Sequence, residues 1–541
     1  MSEVVRCLLV FPRFHQKSFW NYRATCELVG AAYPAAPLGM ITVAALLPET
    51  WEVRLVDCNV EALEDADVEW ADVVLTGGMI AQQVSCLELI DQMKAHGKTV
   101  VVGGPDATSS PHLYEHADHL VLGEAEITLP RWLAARATGH AVKTYECGEE
   151  KANVETSPVP RFDLLKFDRY LHVGIQLSRG CPFLCEFCDI IELFGRVPRL
   201  KPPLQMLAEL DRLYELGYRG HVDFVDDNFI GNRGEVKKFL VLLRAWLEEH
   251  RFPFEFSTEA SINLVDDEDL LRLMQEVGFS AVFVGVESPD EETLKSMRKR
   301  QNTNRSLSDS LQKIYSYGIF VNTGYIVGFD SERGNVAPGV LHLIETSAVP
   351  VNMVGLLFAL PNTQLQRRLA KEGRLFDDFQ VAPRDAGDQC TGGLNFITKR
   401  PRTDILRDFQ KIIDESYEPG TYFDRVQRVG SVLDCSQKRL RQPLRNVLRD
   451  MKAFARLIWR MGIGKRYRGL FWRTLVKLAR RNPRGLRYSI AMMALYLHFG
   501  EFRHYLLARL DDAIRAAEDA SVAEPARART TALEASSAPA S

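Results

Sequence analysis

The sequence predicts an α/β chain in three parts: an open, wound parallel sheet, a partial (β/α)6 barrel, and a helical basic carboxyl-terminal region. Three observations carry this. Short Val- and Leu-rich runs alternate with helical patterns in two successive series; three of the five runs of the first series end in glycine-bearing turns; and beyond Leu375 the strand-like runs stop. A chain of 541 residues, 46% hydrophobic and 26% charged, has room for about three or four domains and the composition of a folded protein.

The first series gives strands at Val4–Val10, Glu52–Asp57, Asp72–Thr76, Thr99–Val102 and His119–Leu122, and the domain is expected over 1–140. Its turns, Gly77-Gly78, Gly103-Gly104-Pro105 and Gly123-Glu124, fall at the carboxyl ends of the strands, where a wound (Rossmann-like) sheet binds ligands. A connecting stretch broken by Pro158 and Pro160 follows. The second series, expected over 165–378, has strands at Gly174–Leu177, His221–Val225, Phe254–Thr258, Ala281–Val286, Phe320–Val327 and Asn352–Leu360. Helices at Leu204–Leu216, Arg233–Glu249, Asp267–Val277 and Ser306–Tyr317 separate them. Six such units make a barrel or most of one, and their spacing fits an open six-unit or a closed eight-unit TIM-type barrel. A helical region is expected over 379–517 and a disordered Ala-, Ser-, Arg- and Pro-rich tail over 518–541.

Several classes are excluded early. A mean hydropathy of −0.14 and the lack of any apolar run of about 18 residues argue against a membrane-spanning helix. Met1–Phe14 has none of the regions of a secretory leader, which points to a cytoplasmic address. Ten cysteines in so long a chain are not a secreted disulfide framework.

Three of those cysteines cluster. Cys181, Cys185 and Cys188 lie in a C-x3-C-x2-C loop directly after the first barrel strand. Thiolates hold iron-sulfur clusters, usually four at a time, so three leave one iron open to an outside ligand. A structural zinc would need a fourth ligand, for which His172 and His221 are the nearest candidates.

With Phe187 in the aromatic position, Cys181, Cys185 and Cys188 match the C-x3-C-x-aromatic-C motif, and the chain resembles the radical S-adenosylmethionine enzymes. The resemblance implies a [4Fe-4S] cluster on the three cysteines, with S-adenosylmethionine chelating the fourth iron and yielding a 5'-deoxyadenosyl radical. It implies S-adenosylmethionine contacts from Phe187, from Asp226 or Asp227 at the end of the second strand, from Glu259 with Ser257, from Glu287 with Ser288, and from Gly324. The acidic pair Asp226-Asp227 reads equally well as an N-cap for the helix opening near Arg233, and Gly324 as a packing glycine.

A wound sheet ahead of such a barrel is similar to the cobalamin-binding domain of a large subgroup. That likeness implies cobalamin contacts from Thr76, Gly77, Gly78, Met79, Gly103, Gly104, Pro105, Gly123 and Glu124. The Asp-x-His-x-x-Gly motif that gives cobalt a histidine is absent: none of the twelve histidines lies two residues after an Asp. No such histidine is therefore expected beneath the cobalt.

Net charge is −4, yet Lys438–Arg487 holds 17 Lys and Arg against the single acid Asp450, so this stretch is +16 and the rest −20. Arg456, Arg460, Lys465, Arg466, Arg468, Arg473, Lys477, Arg480 and Arg481 interleave with Trp459, Phe471 and Trp472. This suits a helix lying in an anionic membrane surface. Nucleic acid is the competing partner and is not expected, and a solvated Arg face over a packed Trp and Leu face is the plain alternative.

Taken whole, including Asp189–Arg199 and Val222–Asn232, the chain resembles cobalamin-dependent radical S-adenosylmethionine methyltransferases, and among them the hopanoid C-2 methylases. The resemblance implies methyl transfer through methylcobalamin to an unactivated carbon of a hydrophobic small molecule, a hopanoid lipid. It further implies an electron donor such as ferredoxin or flavodoxin, and a position on the inner face of the cytoplasmic membrane. A cobalamin-dependent radical cyclase or oxidase, or a methylase of another substrate such as a tetrapyrrole, would share every motif named.

Overall fold

The computed structural model describes residues 4–376, 392–437 and 439–536, with side chains to residue 519. Its first two strands separate at once: β1 (Arg6–Phe11) enters one sheet and β2 (Tyr33–Ala35) another. β1 is joined by β3 (Glu52–Asp57), β4 (Val73–Gly77), β5 (Thr99–Gly103), β6 (His119–Leu122) and β7 (Thr144–Glu146), all parallel, in the order β3-β1-β4-β5-β6-β7. The alternation of β1 explains why both faces are covered. Cys7 and Leu9 point into a core with Met40, Leu129 and Trp132 from helices Leu38–Ala45 and Ala125–Ala137, while Leu8 and Val10 meet Cys86, Ile90 and Met93 of Gln83–Ala95. Strand order reverses between β1 and β4, and the crevice at the carboxyl ends there is the usual ligand site of a wound sheet. β7 lies past residue 140, where the domain was expected to end.

The second sheet runs β15-β14-β13-β12-β11-β8-β2. It comprises β8 (Tyr170–Ile175), β11 (Gly220–Phe224), β12 (Phe254–Glu259), β13 (Phe279–Glu287), β14 (Phe320–Val327) and β15 (Asn352–Leu356), again all parallel. β15 and β2 do not pair, so the barrel is open. β15 stops at Leu356, short of the expected Leu360: Leu357 still donates to Val327 O at 2.8 Å, but its own carbonyl accepts from Leu394 at 2.7 Å. Helices Pro203–Glu215, Arg233–Glu249, Glu268–Glu276 and Leu307–Ser316 cover the outside. A short antiparallel pair, β9 (Ser178–Arg179) with β10 (Arg199–Leu200), brackets the cysteine loop.

The carboxyl-terminal region is helical: Arg402–Ser416, Pro419–Val432, Leu444–Leu457, Arg468–Arg481 and Leu486–Ser536. It shares one apolar core with the barrel. The Tyr417 hydroxyl donates to the Asn352 carbonyl at 2.7 Å and accepts from its amide at 3.0 Å, and Tyr496 donates to the Tyr417 carbonyl at 2.9 Å. The last helix runs to Ser536, through Pro525, where a disordered tail was expected from 518; residues 537–541 lie outside the described residues. Among the described residues no helix is long and apolar enough to cross a membrane.

Candidate functional site

The cysteine loop is held by carboxylates from the next strand. Asp226 is buried and accepts from the Leu177 amide at 3.1 Å and from both the amide and hydroxyl of Ser178 at 2.5 Å. Asp227 accepts from the Gly180 amide at 2.7 Å. Gly180 has φ +97°, and a Cβ there would meet the Gly195 and Val197 carbonyls at 3.0 Å, so only glycine lets the loop turn. The helix at Arg233 is capped instead by Asn232, whose side chain accepts from Glu235 N. The acidic pair is therefore no helix cap, and Asp226, with its oxygens committed to the loop backbone, has little left for a ligand amine.

The three thiols lie buried or half-buried, with side chains distant in the sequence donating to two of them. Asn228 Nδ2 reaches Cys181 Sγ at 3.9 Å and Gln301 Nε2 reaches Cys185 Sγ at 3.8 Å. Burial pushes all three thiols up, and Cys188 is raised further by Asp189, Cys185 and Cys181. They are thus protonated alone and need a metal to become thiolates. Among the described residues no three His, Cys, Asp or Glu side chains are grouped for a single metal ion. The zinc reading fails on its fourth ligand too: His172 and His221 face each other edge-on at 5.9 Å, near the amino ends of their strands, and His221 Nε2 is bonded to Ser257 Oγ at 2.6 Å. A four-iron cluster, which spreads its thiolates around a cube, fits three shielded cysteines on one loop with amide donors at two of the sulfurs.

Beside the loop lies a cation that sequence reasoning missed. Lys299 is buried and ion-paired with Glu287, and its ammonium stands 6.0 Å from the Phe187 ring centroid. Burial pulls Lys299 down, but Glu287, Cys185 and Cys188 outweigh it and raise the ammonium to about 12, so it stays charged. Glu287 has φ +65°. Gly285 leaves the space for this pair, since a Cβ there would collide with Glu287 Oε1. Phe187 also meets Phe329 edge-on at 5.9 Å. Glu332 takes the Gly328 amide at 3.0 Å.

Within the lumen, Glu259 sits at the carboxyl end of β12. Its side chain is open to the lumen, yet the surrounding protein desolvates the carboxyl and pushes it up to about 8, with Asp223, Asp227 and Asp226 adding to the rise. Ser257 is committed to His221 and Asp223. A Cβ on Gly324 would lie 2.8 Å from Phe283 Cζ, so this glycine has a packing reason. Ser288 accepts from the Asp290 amide at 3.1 Å.

The glycine loops of the wound sheet lie side by side at its carboxyl edge, Gly77 paired in register with Gly103 and Gly103 with Val121. Cβ atoms on Gly77 or Gly123 would strike Gly103 O and Cys147 Sγ, and Gly104 has φ +89° against Gly78. The glycines let neighbouring loops pack closely at this edge, from which Met79 projects half-exposed, and an edge of backbone with few side chains suits a broad corrin ring. Thr76 instead faces inward, its hydroxyl donating to Val10 O at 2.8 Å. Pro105 opens helix Gly104–Ser109.

Glu124 is tied to the barrel. Its side chain is almost fully buried in an ion-pair latch to the barrel: Arg179 bonds Glu124 at 2.9 Å and Glu126 at 2.7 Å, and Arg199 bonds Glu124 at 3.0 Å. Burial raises Glu126, and Arg179 overrides it and holds the carboxyl down at about 2. Helix Gly104–Ser109 packs on Ile190–Leu193, which directly follows Cys188. Asn362 Nδ2 bonds Ser109 O at 3.1 Å. The glycine edge and the cysteine loop therefore face one another.

Comparison with known proteins agrees with this arrangement. A B12 binding domain matches residues 28–133, the radical SAM superfamily matches 175–335, and a domain of unknown function (DUF4070) matches 363–511. The chain is 43% identical over 513 residues to an uncharacterized methyltransferase (sll1242) of Synechocystis sp., covering 94% of each. It is 34% identical over 478 residues to the hopanoid C-2 methylase of Rhodopseudomonas palustris, covering 86% of this chain and 88% of that one. The fold is similar to that of the cobalamin-dependent S-adenosylmethionine radical enzyme OxsB (TM-score 0.59, 17% identity, 95% of this chain and 81% of that one).

Proposed function

Because the chain belongs to the cobalamin-dependent radical S-adenosylmethionine methyltransferases, we propose that its substrate is a polycyclic lipid, a hopanoid methylated at C-2. It is an enzyme whose cofactors are a [4Fe-4S] cluster, S-adenosylmethionine and cobalamin. When bound, these supply a radical able to take hydrogen from an unactivated C–H bond, and a methyl group to replace it.

One observation carries the reading: Gly104–Ser109, at the cobalamin edge, packs on the helix that follows Cys188. A substrate carbon held at that junction is in reach of both cofactors, which ordinary polar methyl transfer would not require. In this reading Cys181, Cys185 and Cys188 ligate the cluster. Asp227, Glu259, Glu287 and Phe187 line the S-adenosylmethionine side, and Gly77, Gly78, Met79, Gly103, Gly104 and Pro105 the corrin side. Asp226 and the Glu124–Arg179–Arg199 latch position these loops without touching a cofactor. Lys299 offsets the negative charge that three thiolates would bring. The substrate class is supported by the 34% identity to the hopanoid C-2 methylase over most of both chains. A ferredoxin or flavodoxin supplies electrons, and the enzyme works in the cytoplasm at the inner face of the membrane.

The test is anaerobic incubation of reconstituted enzyme with reductant, cobalamin, methyl-deuterated S-adenosylmethionine and a total lipid extract, followed by mass spectrometry. A lipid carrying the labelled methyl, with 5'-deoxyadenosine and S-adenosylhomocysteine, supports the proposal. Release of 5'-deoxyadenosine with no labelled lipid refutes the lipid substrate, and a labelled tetrapyrrole in its place identifies the other branch of the family.

A further inference from the structure

The apolar residues left exposed on this molecule concentrate in its most basic stretch. On helix Leu444–Leu457 the buried row is Asn446, Ala453 and Leu457, while Leu444 is 80% exposed, Leu448 57% and Met451 63%. The wide turn Ile458–Ile463 continues that row with Trp459, 71% exposed. Helix Arg468–Arg481 then buries Phe471 and Leu478 and exposes Trp472 and Val476. The two pieces adjoin: Trp472 Nε1 bonds the Gly462 carbonyl at 2.9 Å. Lys452, Lys465, Arg473, Arg480 and Arg481 stand exposed among them. The one acid of the stretch, Asp450, is already beside Arg449 at 3.4 Å.

We propose that this face docks on an anionic lipid bilayer, with the amino end of the barrel toward the membrane and the cysteine loop away from it. The chemistry selects the partner. A row of Leu, Met and Trp at helical spacing inserts into the boundary between headgroups and chains, and Lys and Arg beside it meet phosphates. A nucleic acid backbone would satisfy the charges but give the Leu and Met row nothing to bury against.

Orientation follows from the anchors. Arg445 bonds the Gly217 carbonyl at 2.5 Å and Asn446 the Arg219 carbonyl at 3.0 Å, both just ahead of β11, and the Arg441 amide bonds Phe252 O at 3.0 Å just ahead of β12. The strands run parallel, so these contacts mark the end of the barrel opposite the cysteine loop. Away from that face helix Leu444–Leu457 packs on Arg23–Val29. Arg456 bonds Leu28 O at 2.8 Å and Arg460 pairs with Glu27 at 3.0 Å, and the strap before that helix sets Trp20 edge-on to Phe283 at 5.6 Å. If the proposed lipid substrate holds, this face brings the enzyme to the bilayer in which that lipid resides.

The experiment is vesicle sedimentation of the full-length holoenzyme with phosphatidylcholine alone and with about 30 mol % phosphatidylglycerol. The expected result is pelleting with the anionic vesicles only. A Leu448→Ser/Met451→Ser/Trp459→Ser variant and a Lys465→Gln/Arg473→Gln/Arg480→Gln/Arg481→Gln variant should each lower the partition at least about tenfold while releasing 5'-deoxyadenosine at the wild-type rate. Equal pelleting with neutral vesicles, no pelleting, wild-type partition by both variants, or retention of RNA without vesicle binding overturns the proposal. Vesicle binding without any methylated lipid upholds the docking face and refutes only the substrate, whereas methylation of a detergent-dispersed lipid by a protein that never pellets does the reverse.

Discussion

Replacing Glu126 by Gln should loosen the contact between the wound sheet and the barrel. The carboxyl is held near 2 rather than 4.5, which corresponds to about 3 kcal/mol at neutral pH. Arg179 keeps Glu124 as a partner in the variant, and removal of one member of a buried pair typically costs about 3–5 kcal/mol, so a loss of about 2–3 kcal/mol is expected. Urea unfolding of the full chain at pH 7 reads this as an earlier first transition. The pH dependence has a fixed sign. With the folded value below the unfolded one, the stabilisation is complete above about pH 4.5 and fades as pH falls toward 2. Wild type and variant should therefore converge on acidification. The Arg6–Asp72 pair, nearly half exposed on both sides, is the internal control: Asp72→Asn should cost under about 1 kcal/mol. A Glu126→Gln transition within about 0.5 kcal/mol of wild type at pH 7, or a gap that stays constant down to pH 3, would refute the argument that the latch is a tight, desolvated ion pair.

Cys181→Ser, Cys185→Ser and Cys188→Ser variants should each lose the cluster's visible absorbance and 5'-deoxyadenosine release while keeping wild-type circular dichroism. Gly104→Ala should weaken cobalamin binding measured by gel filtration, because φ +89° strains any Cβ there by about 1–2 kcal/mol; unchanged retention of cobalamin would show that the edge tolerates it. Crowding by protein and the neighbouring carboxylates Asp223, Asp227 and Asp226 lift Glu259 to about 8, although its side chain is open to the lumen. A cationic ligand at this carboxyl would draw off its proton: S-adenosylmethionine affinity, by calorimetry, should rise from pH 6.5 to 8.5 with proton release, and Glu259→Gln should flatten that slope.

The strands of both sheets were legible because Val- and Leu-rich runs bounded by glycine have few other solutions. The two that were missed have physical reasons. Tyr33-Pro34-Ala35 is too short to show a period and carries a proline, tolerated because β2 is an edge strand, and β7 is equally short. The cysteine loop was legible as a motif, but its supports were not, since the latch of Arg179 to Glu124 and Glu126 spans over fifty residues. Asp226 and Asp227 were weighed as ligands or helix caps, and the structure gives a third role, accepting from the amides ahead of Cys181. In Leu444–Leu457 the pattern offers two apolar rows, and nothing in the sequence says that Leu457 faces in while Leu448 faces out. That depends on the surface beneath the helix.

β2 has a consequence for how the molecule can move and be built. The wound sheet and the barrel are not two bodies on a hinge: the segment that leaves β1 pairs with β8 before it returns to β3, and Tyr170 of β8 donates to Asp57 of β3 at 2.9 Å. A domain swing that carried the corrin away from the barrel would have to strip a strand from its edge. Shuttling between methyl donor and acceptor must then fall to small ligands and loops. The same stitch makes the barrel dependent on residues synthesised well before it. Expressed alone from residue 141, it would present the bare edge of β8, an invitation to pair with another chain, so soluble expression of that fragment is itself informative about how much β2 contributes.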